Sequence, residues 1–160
     1  MSVSTWALDV PSRDKLIKAA IEAKEFAYAK YSKFRVGAAL LSTDGQIIKG
    51  ANIENASYGG TICAERTAIV KAVSEGTKSF VALAVVTDVA SALSPCGMCR
   101  QVIREFCAQN MPILLVPSDY SERIAKGQSD GILETSIAEL LPHSFGPEHL
   151  ELPREGAQSS

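Results

Sequence analysis

Histidine is nearly absent from this chain. Its 160 residues include only His143 and His149, both near the C-terminus and away from every cysteine. Serine or cysteine catalysis assisted by a central histidine is therefore poorly supported. A block of positive charge is also lacking. The 16 lysines and arginines are scattered through a chain of net charge −2, which argues against a phosphate-tracking face and against nucleic acid as partner. No apolar stretch reaches the roughly 18 residues of a membrane span. The longest candidate, FVALAVVTDV, is broken by Thr87 and Asp88, so no membrane partner is expected. The N-terminal MSVSTWALDVPSRDKL has no apolar run with basic flanks, so the expectation is a chain without an export signal, resident in the cytoplasm.

Disulfides seldom persist in such a reducing compartment. The four cysteines, Cys63, Cys96, Cys99 and Cys107, are thus expected as thiols or metal ligands. A hydrophobic content of 46% against 21% charged residues suits one globular domain over residues 1–160, with its core in about 12–150. The tail 151–160 is expected to be mobile and is assigned no function.

Periodicity gives a coarse order of elements. Ser12 is placed to cap a helix over about 13–29, with Leu16, Ala20, Ala23 and Ala27 on one face. Residues 36–42 and 46–53 read as strands joined by the turn dipeptide Asp44-Gly45. A second helix fits 63–75 and ends at Gly76. FVALAVV (80–86) and PILLV (112–116) are continuous apolar runs, as in strands covered on both faces. Pro95 opens a helix through about 108. The polar stretch 118–130 has room for one helical turn near Ser121–Lys126, and GILET (131–135) for a last strand. Ser136 and Glu139 have capping-box spacing before a short helix that stops at Pro142. This α/β order implies one sheet with helices on its faces.

The chemistry concentrates in CAERTAIVKAV (63–73) and PCGMC (95–99). Both cysteine groups enter helices, whose N-termini stabilise thiolates. Cys96 and Cys99 are close enough in a first turn to share a zinc ion, with Zn–S bonds of about 2.3 Å. Cys107 lies eight residues beyond Cys99, roughly 12 Å along the axis, too far to join them, and reads as a buried helix cysteine. Cys63 remains as the third sulfur, leaving one position open, as catalytic zinc sites do. A redox pair is the weaker alternative, because Ala90–Leu93 makes a poor preceding strand. Glu65 is either a first-turn acid complementing the helix dipole or a general acid/base beside the open position. Three thiolates carry excess negative charge, and Arg66 is placed to offset it, with Arg100 second and better read as an ordinary surface arginine.

Four motifs in order, C63-A-E65-R-T-A with P95-C-G-M-C99-R-Q, Y31-S-K-F-R-V-G-A-A-L40, G50-A-N-I-E-N-A-S-Y58 and E139-L-L-P-H-S-F-G-P147, give the chain a resemblance to the small cytidine deaminases. The resemblance implies a three-layer α/β/α fold with a mixed five-stranded sheet. It further implies hydrolytic deamination of cytidine and deoxycytidine to uridine and deoxyuridine plus ammonia, in pyrimidine salvage. Cys63, Cys96 and Cys99 would hold one zinc per subunit, Glu65 would move protons, and Arg66 would bond to the thiolates. Asn52 and Glu54 would bind ribose hydroxyls, Phe34 the pyrimidine ring, and the main chain near Ala64 the base. For isolated residues, a loop-closing Asn/Glu pair and a core phenylalanine are the plainer interpretations. Phe145 would reach a neighbouring subunit's site in a homotetramer, with Tyr31 and Tyr58 near subunit contacts. Lys30-Tyr31-Ser32, where many relatives have Pro-Tyr-Ser, and the loop Gly59-Gly60-Thr61 depart from the pattern without touching a ligand position.

Overall fold

The computed structural model describes residues 8–156. The N-terminal residues read for an export signal are described only from Leu8, and the expected tail only to Gly156; residues 1–7 and 157–160 lie outside the described residues. Helix α1 spans Val10–Lys24 and is followed by strands β1 (Gly37–Ser42) and β2 (Ile47–Ala51). Then come α2 (Ala64–Ser74), β3 (Phe80–Val86), α3 (Gly97–Phe106), β4 (Ile113–Val116), α4 (Tyr120–Ala125), β5 (Leu133–Thr135) and α5 (Ile137–Leu140). The strands form one sheet in the order β2-β1-β3-β4-β5. Only β3 and β4 run parallel, joined by the α3 crossover; the other three neighbouring pairs are antiparallel.

Alternation along the strands sends side chains to two apolar layers. Ala39, Leu41, Ala82, Ala84, Val86 and Leu114 meet Leu16, Ile17 and Ala20 of α1. On the other face Leu40, Leu83, Val85, Ile113 and Leu115 meet Ala68 and Ile69 of α2, Ile103 of α3 and Ile137 of α5. The central strands are apolar throughout because helices cover both faces, giving the three-layer α/β/α arrangement with a mixed sheet.

Local details correct three expectations. Asp9, not Ser12, caps α1: its carboxylate accepts the Ser12 main-chain N–H at 2.8 Å. The helix stops at Lys24 rather than 29, because the Tyr28 backbone bonds instead to Asn52 and Glu54. The Ser136 side chain makes no cap bond, and the Glu139 carboxylate takes the Thr135 hydroxyl at 2.6 Å. The hairpin turn is as expected, with Gly45 at φ 87°.

One glycine sets a distance that matters to the site. A Cβ on Gly50 would lie 2.4 Å from the Ala68 nitrogen and 2.5 Å from the Ala64 carbonyl oxygen. β2 therefore rests its bare backbone on the first turns of α2, immediately beyond Cys63.

Candidate active site

Two helix mouths meet at one end of the sheet. Cys63 is the N-cap of α2 and Cys96 the N-cap of α3, and neither side chain is used for capping. Their sulfurs lie 3.9 Å apart, and all three sulfurs of Cys63, Cys96 and Cys99 fall within 4.8 Å of one another. The edge of a zinc tetrahedron built on 2.3 Å bonds is about 3.8 Å. The donor set thus fits zinc: three soft ligands at the right spacing, with no fourth side chain in the cluster among the described residues. Cys107 is buried in the core beside α3, as its position on the helix required.

Charge at the cluster is controlled by its neighbours. An Arg66 terminal nitrogen stands 3.6 Å from Cys63 Sγ, and its Nε is buried without a hydrogen-bond partner. Donation from Cys99 holds the Cys63 thiol down to about 5 against the effect of burial, with help from Arg66 and Cys96. Cys99 is pushed up because it shares its proton with Cys63, is buried, and faces Glu65. Arg100 departs from expectation. It is half-buried and forms no salt bridge among the described residues; it donates to the Pro95 and Leu140 carbonyls at 2.7 and 2.6 Å and to the Ser94 hydroxyl at 2.7 Å. It thereby ties the segment before α3 to the end of α5.

Glu65, in the first turn of α2, is only 4% exposed. Its Oε2 lies 3.8 Å from Cys99 Sγ. Burial pushes its carboxyl above the usual range, and the charge on Cys63 adds to the rise against the pull of a main-chain hydrogen bond. A buried carboxyl raised in this way and set beside the sulfurs suits a general acid/base.

Beside the cluster opens a cavity of about 310 Å³, at the lower end of small-molecule sites. Cys63, Glu65 and Cys96 line it, together with Phe34, Asn52 and Glu54. An antiparallel bridge brings the last two there: Ile53 and Ile62 exchange main-chain bonds of 2.9 and 3.0 Å, setting the strand end beside Cys63. Both polar side chains close a loop. Asn52 accepts the Val36 N–H and donates to the Phe34 carbonyl, each at 2.8 Å. Glu54 Oε1 accepts the N–H groups of Tyr31 and Ser32 at 2.9 and 3.0 Å. Ala64 packs its methyl into the core and is not among the lining residues. Phe145 lies outside the cavity, 56% exposed and stacked on His149. Thr87 and Leu93 are lining residues that carried no sequence motif; they follow β3, whose antiparallel pairing of Val86 with Gly37 sets its exit beside the loop before β1.

A mixed sheet between helices, three sulfurs at helix mouths and a buried carboxyl define the class: a zinc-dependent α/β/α hydrolase. Residues 11–115 match the family described as "Cytidine and deoxycytidylate deaminase zinc-binding region". The cytidine deaminase of Sporosarcina psychrophila is 52% identical over 142 residues, 89% of this chain and 97% of that protein. The cytidine deaminase of Halalkalibacterium halodurans is 51% identical, covering 86% and 97%. Among solved structures, the cytidine deaminase of Burkholderia pseudomallei superposes with a TM-score of 0.72 at 42% identity, over 82% of this chain and 98% of that one. This chain belongs to the cytidine and deoxycytidylate deaminase family.

Proposed function

We propose that the protein hydrolyses cytidine and deoxycytidine to uridine and deoxyuridine with release of ammonia, within one catalytic domain. The observation that carries this reading is the buried Glu65 carboxyl lining a cavity of about 310 Å³, next to three metal-competent sulfurs. Cys63, Cys96 and Cys99 would hold the zinc, and Arg66 would offset their charge. When bound, zinc supplies Lewis acidity that makes water nucleophilic near neutral pH. Glu65 takes one proton of the attacking water and delivers it to N3 as C4 is attacked, then takes the remaining proton of the new C4 hydroxyl and passes it to the amine, so that the C4 carbonyl forms as the C4–N4 bond breaks and ammonia leaves. Phe34 lies along the base, and the main chain near Ala64 contacts it. Asn52 and Glu54 would spend their remaining hydrogen-bonding capacity, beyond the loop bonds, on the sugar hydroxyls. The walls exclude water and strengthen the charge interactions inside.

Exposed Phe26, Tyr58, Met98 and Phe145 support assembly into a homotetramer, with Phe145 completing a neighbour's site and Tyr31 and Tyr58 near the contacts. A thiolate metal site suits the reducing cytoplasm, and the reaction suits pyrimidine salvage. The test is a side-by-side assay of ammonia release from cytidine, deoxycytidine, their monophosphates, blasticidin S and single-stranded DNA, with metal analysis. Release from the two nucleosides with zinc near one per subunit is expected. Zinc near one per subunit with no release from any substrate would make the protein a zinc-stabilised binding module instead.

A further inference from the structure

The loop that carries Phe34 is held from outside the cavity. Lys33 sits at φ 59°, a region that residues other than glycine seldom adopt, so the loop's course is imposed by its partners. Asp88, just after β3, is the strongest of these. Its carboxylate accepts the Arg35 main-chain N–H at 2.9 Å, Arg35 Nε at 3.1 Å and an Arg35 terminal nitrogen at 2.9 Å. Lys24, in the last turn of α1 and buried, brings its ammonium to 3.3 Å from the same carboxylate and donates to the Thr87 carbonyl at 3.2 Å. Arg35 also reaches Glu25 at 3.1 Å.

One carboxylate therefore joins three segments: the end of α1, the loop 31–36, and the exit of β3. Two of those segments supply lining residues, Phe34 and Thr87, yet Lys24, Arg35 and Asp88 are not among the lining residues. Partial burial by itself would raise the Asp88 carboxyl, but Arg35 and Lys24 outweigh it and pull the group down to about 2. Bidentate guanidinium–carboxylate pairing fixes direction as well as distance, and burying a lysine is tolerable only with such partners.

We propose that Asp88 is a positioning residue for substrate: through Arg35 and Lys24 it fixes the loop that carries Phe34 relative to the exit of β3 that carries Thr87, and so sets the cavity wall the substrate meets. It acts on affinity and leaves the chemical step alone. This rests on the cavity being the nucleoside site. Asp88→Asn keeps the shape and removes the charge. It should raise KM for cytidine about tenfold, as expected for losing a charge-assisted bond. The inhibition constant of uridine should rise in step, with kcat within about twofold and zinc retained. In a Phe34→Ala background the same substitution should raise KM less than about twofold, because the wall it positions is gone. Arg35→Gln changes a side chain that is 41% exposed and spares the main-chain bond. It should raise KM about threefold, and it keeps the idea testable if Asp88→Asn does not fold.

A lower melting temperature with unchanged KM and inhibition constant would overturn the proposal, as would full additivity with Phe34→Ala. Wild-type protein that releases no ammonia from any cytosine nucleoside would defeat the reading of the cavity, and this proposal with it. An active wild type with unaffected variants would defeat the positioning role alone.

Discussion

Glutamine at position 65 is the most direct perturbation of the site. Glu65→Gln preserves volume and one carbonyl-type oxygen but removes the buried carboxyl beside the three sulfurs that can accept and return a proton. General acid/base catalysis contributes about 10²–10⁴-fold per positioned group. Glu65 is asked to move protons at the water, at N3 and at the leaving amine, so the upper part of that range applies. A loss of about 10³–10⁴-fold in kcat corresponds to ~4–5.5 kcal/mol of barrier. The sulfurs are untouched, and zinc should stay near one per subunit. KM should change little, since the lining residues remain. Stability offers an independent sign. Glu65 is buried with its carboxyl raised above the unfolded value, so above that unfolded value its ionised form disfavours folding. Metal-free Glu65→Gln should therefore melt no lower than metal-free wild type at pH 7. The assay is the conversion of cytidine to uridine followed by absorbance, with metal analysis of the same sample. Ammonia release within about tenfold of wild type, with zinc retained, would refute the assignment.

Gly50→Ala should push β2 off α2, because the new methyl would sit 2.4 Å from the Ala68 nitrogen. Chemical denaturation should show a loss of about 1–3 kcal/mol, and competition with a chelator a weaker hold on zinc. Asn52→Ala leaves the Val36 N–H and the Phe34 carbonyl without their 2.8 Å partners. A cost of about 1–3 kcal/mol in stability and a raised KM are expected from unfolding curves and steady-state kinetics. The Asp88 carboxyl, held near 2 against an ordinary 3.8, contributes stability that is fully present above about pH 4. That contribution is lost as pH falls toward 2. The stability gap between metal-free wild type and metal-free Asp88→Asn should shrink over that window in denaturation at pH 7, 4 and 2.5.

Local features carry the legible part of this molecule. Cys63, Cys96, Cys99 and Glu65 stand where two chain segments enter helices, and a helix entrance is readable from a few neighbouring residues. The apolar runs of β3 and β4 signalled strands buried on both faces, and Gly76 and Asp44-Gly45 signalled a stop and a turn. Competing local donors were harder. Asp9 and Ser12 both suit an N-cap, and the Asp9 carboxylate takes the Ser12 N–H and hydroxyl, which makes Ser12 a donor rather than the cap. Ser136 and Glu139 have capping-box spacing, but Thr135 is nearer to the glutamate.

Local spacing along each of two helices sets which groups can serve the centre: Cys63, Glu65 and Arg66 on α2, Cys96 and Cys99 on α3. Packing of the sheet and its helices joins those two groups across 33 and 34 residues and builds the cavity beside them. Asn52 and Glu54 meet the loop 31–36 across 16 to 23 residues of chain, and Asp88 meets Arg35 across 53. Arg100 turns from a presumed surface charge into a clamp on Leu140, 40 residues away. Periodicity and spacing report which face a residue occupies and how close its near neighbours lie. They carry no information about which distant hydrogen-bond donor a carboxylate will find once the sheet and its helices have packed, and here those distant bonds build the walls.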